Sequence, residues 1–142
     1  MIYFLDTSAL VKRYVSEPGS PLVRGLFARK RKVAVSRLAW PEVVAATARR
    51  RREGTLPALQ HERILERLAA DLSSFTVVEV RPATLNAVPG LCARHPLRAY
   101  DAVQLAAALV LRQTASAIDF WTTDHALRLA ALAEGLRATP VG

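Results

Sequence analysis

Four acidic residues stand where solubility does not require them. Asp6 ends the apolar run Ile2-Tyr3-Phe4-Leu5, and Glu42 opens a helical pattern at Trp40-Pro41-Glu42-Val43-Val44. Asp101 interrupts Leu97-Arg98-Ala99-Tyr100-Asp101-Ala102-Val103-Gln104-Leu105, and Asp124 follows Phe120-Trp121-Thr122-Thr123. A carboxylate in apolar surroundings is costly unless it is paired or bound to metal. One arrangement accounts for all four: a fold that gathers them into a single cation site. Mg2+ takes oxygen ligands and keeps water. Two such ions about 4 Å apart can activate a water and stabilise the oxygen leaving a phosphodiester. Their four positive charges would balance four carboxylates. The chemistry expected is metal-dependent attack on a phosphate ester, with no nucleophilic Ser or Cys needed.

Each acid also has a simpler reading. Asp6 and Asp124 each precede a helix and could be N-caps that accept backbone N–H bonds. Thr7, Ser8 and Thr123 could cap equally well. Glu42 in a first turn suits the helix dipole. Asp101 shares a helical face with Leu97, Leu105, Ala108 and Leu109, and could be a charge at the stripe's edge held by Arg98. The set is more informative than its members, because three of the chain's five aspartates fall at such places. Asp119, near the last strand, could support the site from behind or be an ordinary exposed residue; the exposed reading is the one expected. His61, His95 and His125 lack metal-ligand spacing and are expected on the surface, with an auxiliary role conceivable only for His125 beside Asp124. The chain has no Gly-rich phosphate loop and no Walker lysine.

The elements that must position these acids follow from the hydrophobic pattern. Strands are expected at Ile2–Leu5, Val33–Ser36, Thr76–Val80, Ala117–Thr122 and Leu136–Thr139. Helices are expected over Ser8–Val15, Leu22–Arg29, Ala39–Arg52, Pro57–Leu72, from Pro96 to about Leu111, and over His125–Ala133. On the Pro57–Leu72 helix, Leu59, Ile64, Leu65, Leu68 and Leu72 form one broad stripe. Pro89-Gly90 predicts a kink or two short helices within Pro82–Ala93. Alternating strands and helices imply an α/β fold with a parallel sheet. In such sheets ligands bind beyond the carboxyl ends of strands, where Asp6 and Asp124 fall.

Composition narrows the partners. The 142 residues are 51% hydrophobic with mean hydropathy +0.16, the profile of one folded domain spanning 1–142. No apolar stretch approaches the roughly 20 residues that span a bilayer, and the start lacks the pattern of a signal peptide. The lone Cys92 precludes an internal disulfide and a Cys-based zinc cage, so a reducing cytoplasm is the expected compartment. Net charge is +8, and all cations but Lys12, Lys30 and Lys32 are Arg. Arg suits phosphate because its planar fork donates two hydrogen bonds at once. A polyanion such as nucleic acid is the expected partner.

These residues resemble those of the PIN-domain nucleases, in particular the VapC-type toxins of bacterial toxin–antitoxin pairs. The resemblance rests on Phe4-Leu5-Asp6-Thr7-Ser8-Ala9-Leu10-Val11-Lys12, on Glu42 at a helix start after a Val-rich strand, and on Leu97-Arg98-Ala99-Tyr100-Asp101-Ala102-Val103-Gln104-Leu105-Ala106. It ends with Thr122-Thr123-Asp124, Leu127 and Ala133-Glu134-Gly135-Leu136. The resemblance implies an α/β/α sandwich with a mainly parallel sheet and an endoribonuclease dependent on Mg2+ or Mn2+. The family acids map onto Asp6, Glu42, Asp101 and Asp124. Asp6, Asp101 and Asp124 would hold the metal, with Glu42 helping to ligate it or to orient the attacking water. Ser8 or Thr7, and Thr122 or Thr123, would be supporting hydroxyls. A homodimer and a small cognate antitoxin that blocks the groove are also implied.

Two basic runs, Arg29-Lys30-Arg31-Lys32 and Arg49-Arg50-Arg51-Arg52, could hold RNA phosphates near the acids, as could Arg98. The second run also ends a helix, where cations suit the dipole. Three other readings stay open: a PIN-type nuclease in RNA processing outside toxin–antitoxin systems, a metal-dependent phosphatase, and a non-catalytic basic RNA-binding adaptor.

Overall fold

In the computed structural model, which describes residues 1–115 and 117–142, the first strand, β1 (Ile2–Leu5), is the centre of a five-stranded sheet. Strand β2 (Val33–Ser36) and then β3 (Thr76–Val78) extend it on one side; β4 (Ile118–Thr122) and then β5 (Arg137–Pro140) extend it on the other. Every pairing is parallel, with Phe4 opposite both Ala34 and Phe120. Side chains alternate across a strand, so each central strand serves two cores. Leu5, Val33, Val35 and Trp121 enter one; Phe4, Ala34, Ile118 and Phe120 enter the other.

The first core is covered by α1 (Thr7–Tyr14), α2 (Ser20–Ala28), α3 (Ala39–Arg52) and α4 (Ala58–Leu72), through residues such as Leu10, Val23, Val43 and Leu68. The second is covered by α6 (Val88–Arg94), α7 (Ala99–Arg112) and α8 (His125–Ala133), through Leu91, Leu105 and Leu127, with the one-turn α5 (Pro82–Leu85) leading in. The result is an α/β/α sandwich. Most elements fall within two residues of their expected places. The two short helices expected around Pro89 are α5 and α6; Pro89 lies in the first turn of α6, where its missing N–H costs no bond.

Four expectations are corrected. The helix carrying Asp101 begins at Ala99, not Pro96: His95, preceding a proline, is extended, Leu97 N–H turns back to the His95 carbonyl at 2.9 Å, and Arg98 is the N-cap. Leu59 is exposed at the start of α4, so the apolar stripe begins at His61 and Ile64. His61 is buried rather than surface-lying, with Nδ1 3.4 Å from Arg51 Nη1. Asp119 is buried too, and its carboxylate is satisfied by the Thr139 hydroxyl of the neighbouring strand at 2.9 and 3.0 Å. Among the described residues no helix is long and apolar enough to cross a membrane.

Candidate active site

Parallel pairing of β1 with β4 sets Leu5 beside Trp121, so the residues that follow each strand leave the sheet side by side. Asp6 comes first: its N–H donates to the Trp121 carbonyl at 3.1 Å while its side chain caps α1. One carboxylate oxygen, Oδ1, accepts Ala9 N–H at 2.9 Å and the Ser8 hydroxyl at 2.6 Å; Oδ2 accepts the Thr122 hydroxyl at 2.5 Å. Asp6 is 4% exposed, and no cation is bonded to it among the described residues. Burial pushes its carboxyl up to about 6, against the pull of those hydrogen bonds.

The same hydroxyls tie the two strand ends together. Thr122 Oγ1 also accepts Asp124 N–H at 3.0 Å, and Ser8 Oγ accepts Thr123 N–H at 3.0 Å. Asp124 caps α8 through Oδ1, which accepts Leu127 N–H at 2.9 Å. Capping and chemistry are therefore compatible for both aspartates. Of the expected supporting hydroxyls, Thr7, Ser8 and Thr122 bond to the acids or their backbone; Thr123 contributes its backbone N–H.

Glu42 enters from the first turn of α3. Its Oε1 accepts the Thr7 hydroxyl at 2.9 Å and the Gln104 amide at 2.8 Å. Gln104 also donates to Thr7 Oγ1 at 3.1 Å, so α1, α3 and α7 meet on one partly buried contact. Gln104 is 2% exposed, and its Oε1 is buried with no partner among the described residues. Sequence reasoning left Gln104 out of the site. The available signal was an amide inside Ala102-Val103-Gln104-Leu105-Ala106, one helical turn after Asp101.

Asp101 lies in the first turn of α7, half-buried. Burial raises its carboxyl, and the negative charges of Asp124 and Glu42 raise it further, while Arg98 opposes them. Asp101 in turn raises Asp6. Asp101 thus shares charge interactions with Asp6, Glu42 and Asp124, which stand at the starts of α1, α3 and α8. Among the described residues no three His, Cys, Asp or Glu are already drawn into a metal cage. The fit to an ion rests instead on the donors. All are carboxylate oxygens, their mutual repulsion is relieved by positive charge, and no protein donor among the described residues reaches Glu42 Oε2 or Asp124 Oδ2. Hard oxygen donors of this kind suit Mg2+ or Mn2+.

The PIN domain family model matches residues 3–133. The chain belongs to the PIN-domain family. Among the relatives of this PIN chain is Ribonuclease VapC45 of Mycobacterium tuberculosis (strain CDC 1551 / Oshkosh), 37% identical over 145 residues that span 99% of the chain and 95% of the relative. Ribonuclease VapC49 of strain ATCC 25618 / H37Rv matches to the same extent. The solved structure of VapBC2 from Rickettsia felis, bound to a promoter DNA fragment, superposes with a TM-score of 0.66 at 15% identity and full coverage of both chains. The sarcin-ricin-loop-cleaving toxin VapC20 of M. tuberculosis gives 0.65 at 18% identity, covering 94% of this PIN chain and 95% of that chain. At such identities the likeness is one of fold.

The basic residues are divided. Arg98 is exposed beside Asp101. Arg49, Arg50, Arg51 and Arg52 lie at the far end of α3, about 10 to 15 Å along the helix from Glu42. There Arg49 pairs with Glu53 at 2.9 Å and Arg50 with Glu17 at 2.6 Å.

Proposed function

We propose that this chain is a metal-dependent endoribonuclease, the toxin of a VapBC-type toxin–antitoxin pair. One observation supports the chemistry: Thr122 bonds both the Asp6 carboxylate and the Asp124 backbone, and Asp101 lies within charge range of Asp6, Glu42 and Asp124, with Arg98 the cation acting against them there. The ribonuclease relatives at 37% identity supply the substrate class. The cytoplasm, a homodimer and a cognate antitoxin that covers the cleft belong to the same reading.

Asp6, Asp101, Asp124 and Glu42 would hold Mg2+, which supplies Lewis-acid activation of water and charge stabilisation at the phosphorus. The chain's own part is positioning. Ser8 and Thr122 hydroxyls fix both oxygens of Asp6. Thr7 and Gln104 hold Glu42 through Oε1 and leave Oε2 to orient a water. Arg98, exposed beside Asp101, would donate to a phosphate oxygen of bound RNA.

The test is incubation of the purified protein with total RNA in Mg2+ or EDTA, beside Asp101→Asn. Internal cleavage that needs Mg2+ and is lost in the variant is the expected result. Cleavage that survives both EDTA and the substitution overturns the mechanism. RNA binding without turnover points to an adaptor, and hydrolysis confined to small phosphomonoesters points to a phosphatase.

A further inference from the structure

Beside the acids, between α3 and α7, lies a cleft of about 530 Å³ that this chemistry does not use. Thr7 and Glu42 line it, so it shares Glu42 with the candidate site. Pro41, Ala45 and Ala46 make the α3 side, and the Tyr100 ring makes the α7 side. The two alanines carry no side chain beyond Cβ, which keeps that side flat. Tyr100 is 62% exposed, one residue before Asp101, with exposed Arg98 two residues before it. Glu42 is the one charged group on this lining.

We propose that this cleft is a nucleobase subsite: Tyr100 stacks on an unpaired base of the RNA next to the scissile phosphate and selects it. The proposal rests on the ribonuclease reading above. Its occupant follows from continuity. A phosphodiester at the acids must pass its neighbouring nucleotides over the adjoining walls, and this wall is apolar, flat and fronted by an aromatic face. Among the described residues no Lys or Arg lines this wall to hold a phosphate, so the base turns inward and the backbone faces Arg98. Single-stranded RNA is recognised in this manner, by splayed bases stacked on aromatic rings beside a cationic track. The Glu42 carboxylate on the lining can read polar groups on the base edge. Tyr100 touches no core cluster, so its replacement tests recognition rather than folding.

The experiment uses a randomised pool of short single-stranded RNA, digested by the full chain in Mg2+, with fragment ends sequenced. Wild type and Tyr100→Phe are expected to select a base at one position beside the cut. Tyr100→Ala should lose that selection and cleave the preferred sequence about ten-fold more slowly, the scale of one lost stacking contact. An abasic nucleotide at that position should slow wild type about ten-fold and Tyr100→Ala hardly at all. Wild-type cleavage with full base preference retained in Tyr100→Ala overturns the subsite and leaves the ribonuclease reading intact. Unchanged RNA selection together with weakened binding of a peptide partner overturns it in favour of a protein side chain as occupant. A wild type that cleaves no RNA overturns both.

Discussion

Asp6 is asked to be an anion in the driest part of the site. Between the ordinary aspartate value of 3.8 and about 6, the folded chain holds a proton on Asp6 that the unfolded chain has already released. For this group, stability is therefore present at low pH and is lost as pH rises through that window. Asp101 is shifted in the same direction. Asp71, Glu79 and Glu134 are shifted downward and work the opposite way, losing stability as pH falls. Comparison with Asp6→Asn isolates the site. In EDTA at pH 7.5 the Asn variant should be more stable than wild type by about 1–3 kcal/mol, and near pH 4 the gap should close. Millimolar Mg2+ should raise the wild-type melting temperature by several degrees and leave the variant nearly unmoved. Thermal scans across pH check both; parallel curves with and without Mg2+ would show that Asp6 carries no buried charge awaiting a cation.

The helices that carry the acids need bracing, and α1 has a conspicuous brace. Asp71 at the end of α4 accepts Arg13 Nε at 2.8 Å, Arg13 Nη2 at 3.2 Å and the Tyr14 hydroxyl at 2.7 Å. Burial works against the Asp71 carboxylate, but Arg13 and Tyr14 hold it below the usual range. The Arg13 guanidinium also lies 3.6 Å over the Phe27 ring, which brings α2 into the same joint. Asp71→Ala leaves a largely buried guanidinium and a buried hydroxyl without their acceptor. It should cost about 2–4 kcal/mol in urea unfolding, with little change in kcat below the melting range. The strands and helices themselves were legible because their apolar periods are local. Partners far along the chain were not. Gln104 takes its meaning from Glu42, 62 positions earlier, and Asp119 from Thr139, 20 positions later. His61 reads as a surface residue until Arg51, from the preceding helix, is seen against it. The four acids stood out for the converse reason: a charge among apolar neighbours is anomalous before any partner is known.

Across the whole molecule, a charge of +8 surrounds an acidic cleft. The excess suits a polyanion, and in the proposed reading the carboxylates need metal before they tolerate it. The arginines are unequal in this. Arg49 and Arg50 have carboxylate partners, whereas Arg98 faces the cleft rim. Each cation that neutralises a phosphate of single-stranded RNA contributes about 0.7 to the slope of log affinity against log salt. In an inert Asp101→Asn background, Arg98→Ala should lower that slope by about 0.7. Arg49→Ala with Arg50→Ala should change it by less per residue. Fluorescence anisotropy with labelled RNA from low to high salt decides the matter, and an Arg98→Ala slope equal to that of the parent would remove Arg98 from the RNA path.

Because β1 is the middle strand yet the first to be made, its place beside β4 stays open until translation has passed residue 118. The Thr122 hydroxyl that steadies Asp6 comes from 116 positions downstream. A nascent polypeptide on the ribosome thus carries the opening motif of a nuclease through most of its synthesis without the geometry to use it. Assembly of the site waits on the arrival of β4, a delay written into strand order alone.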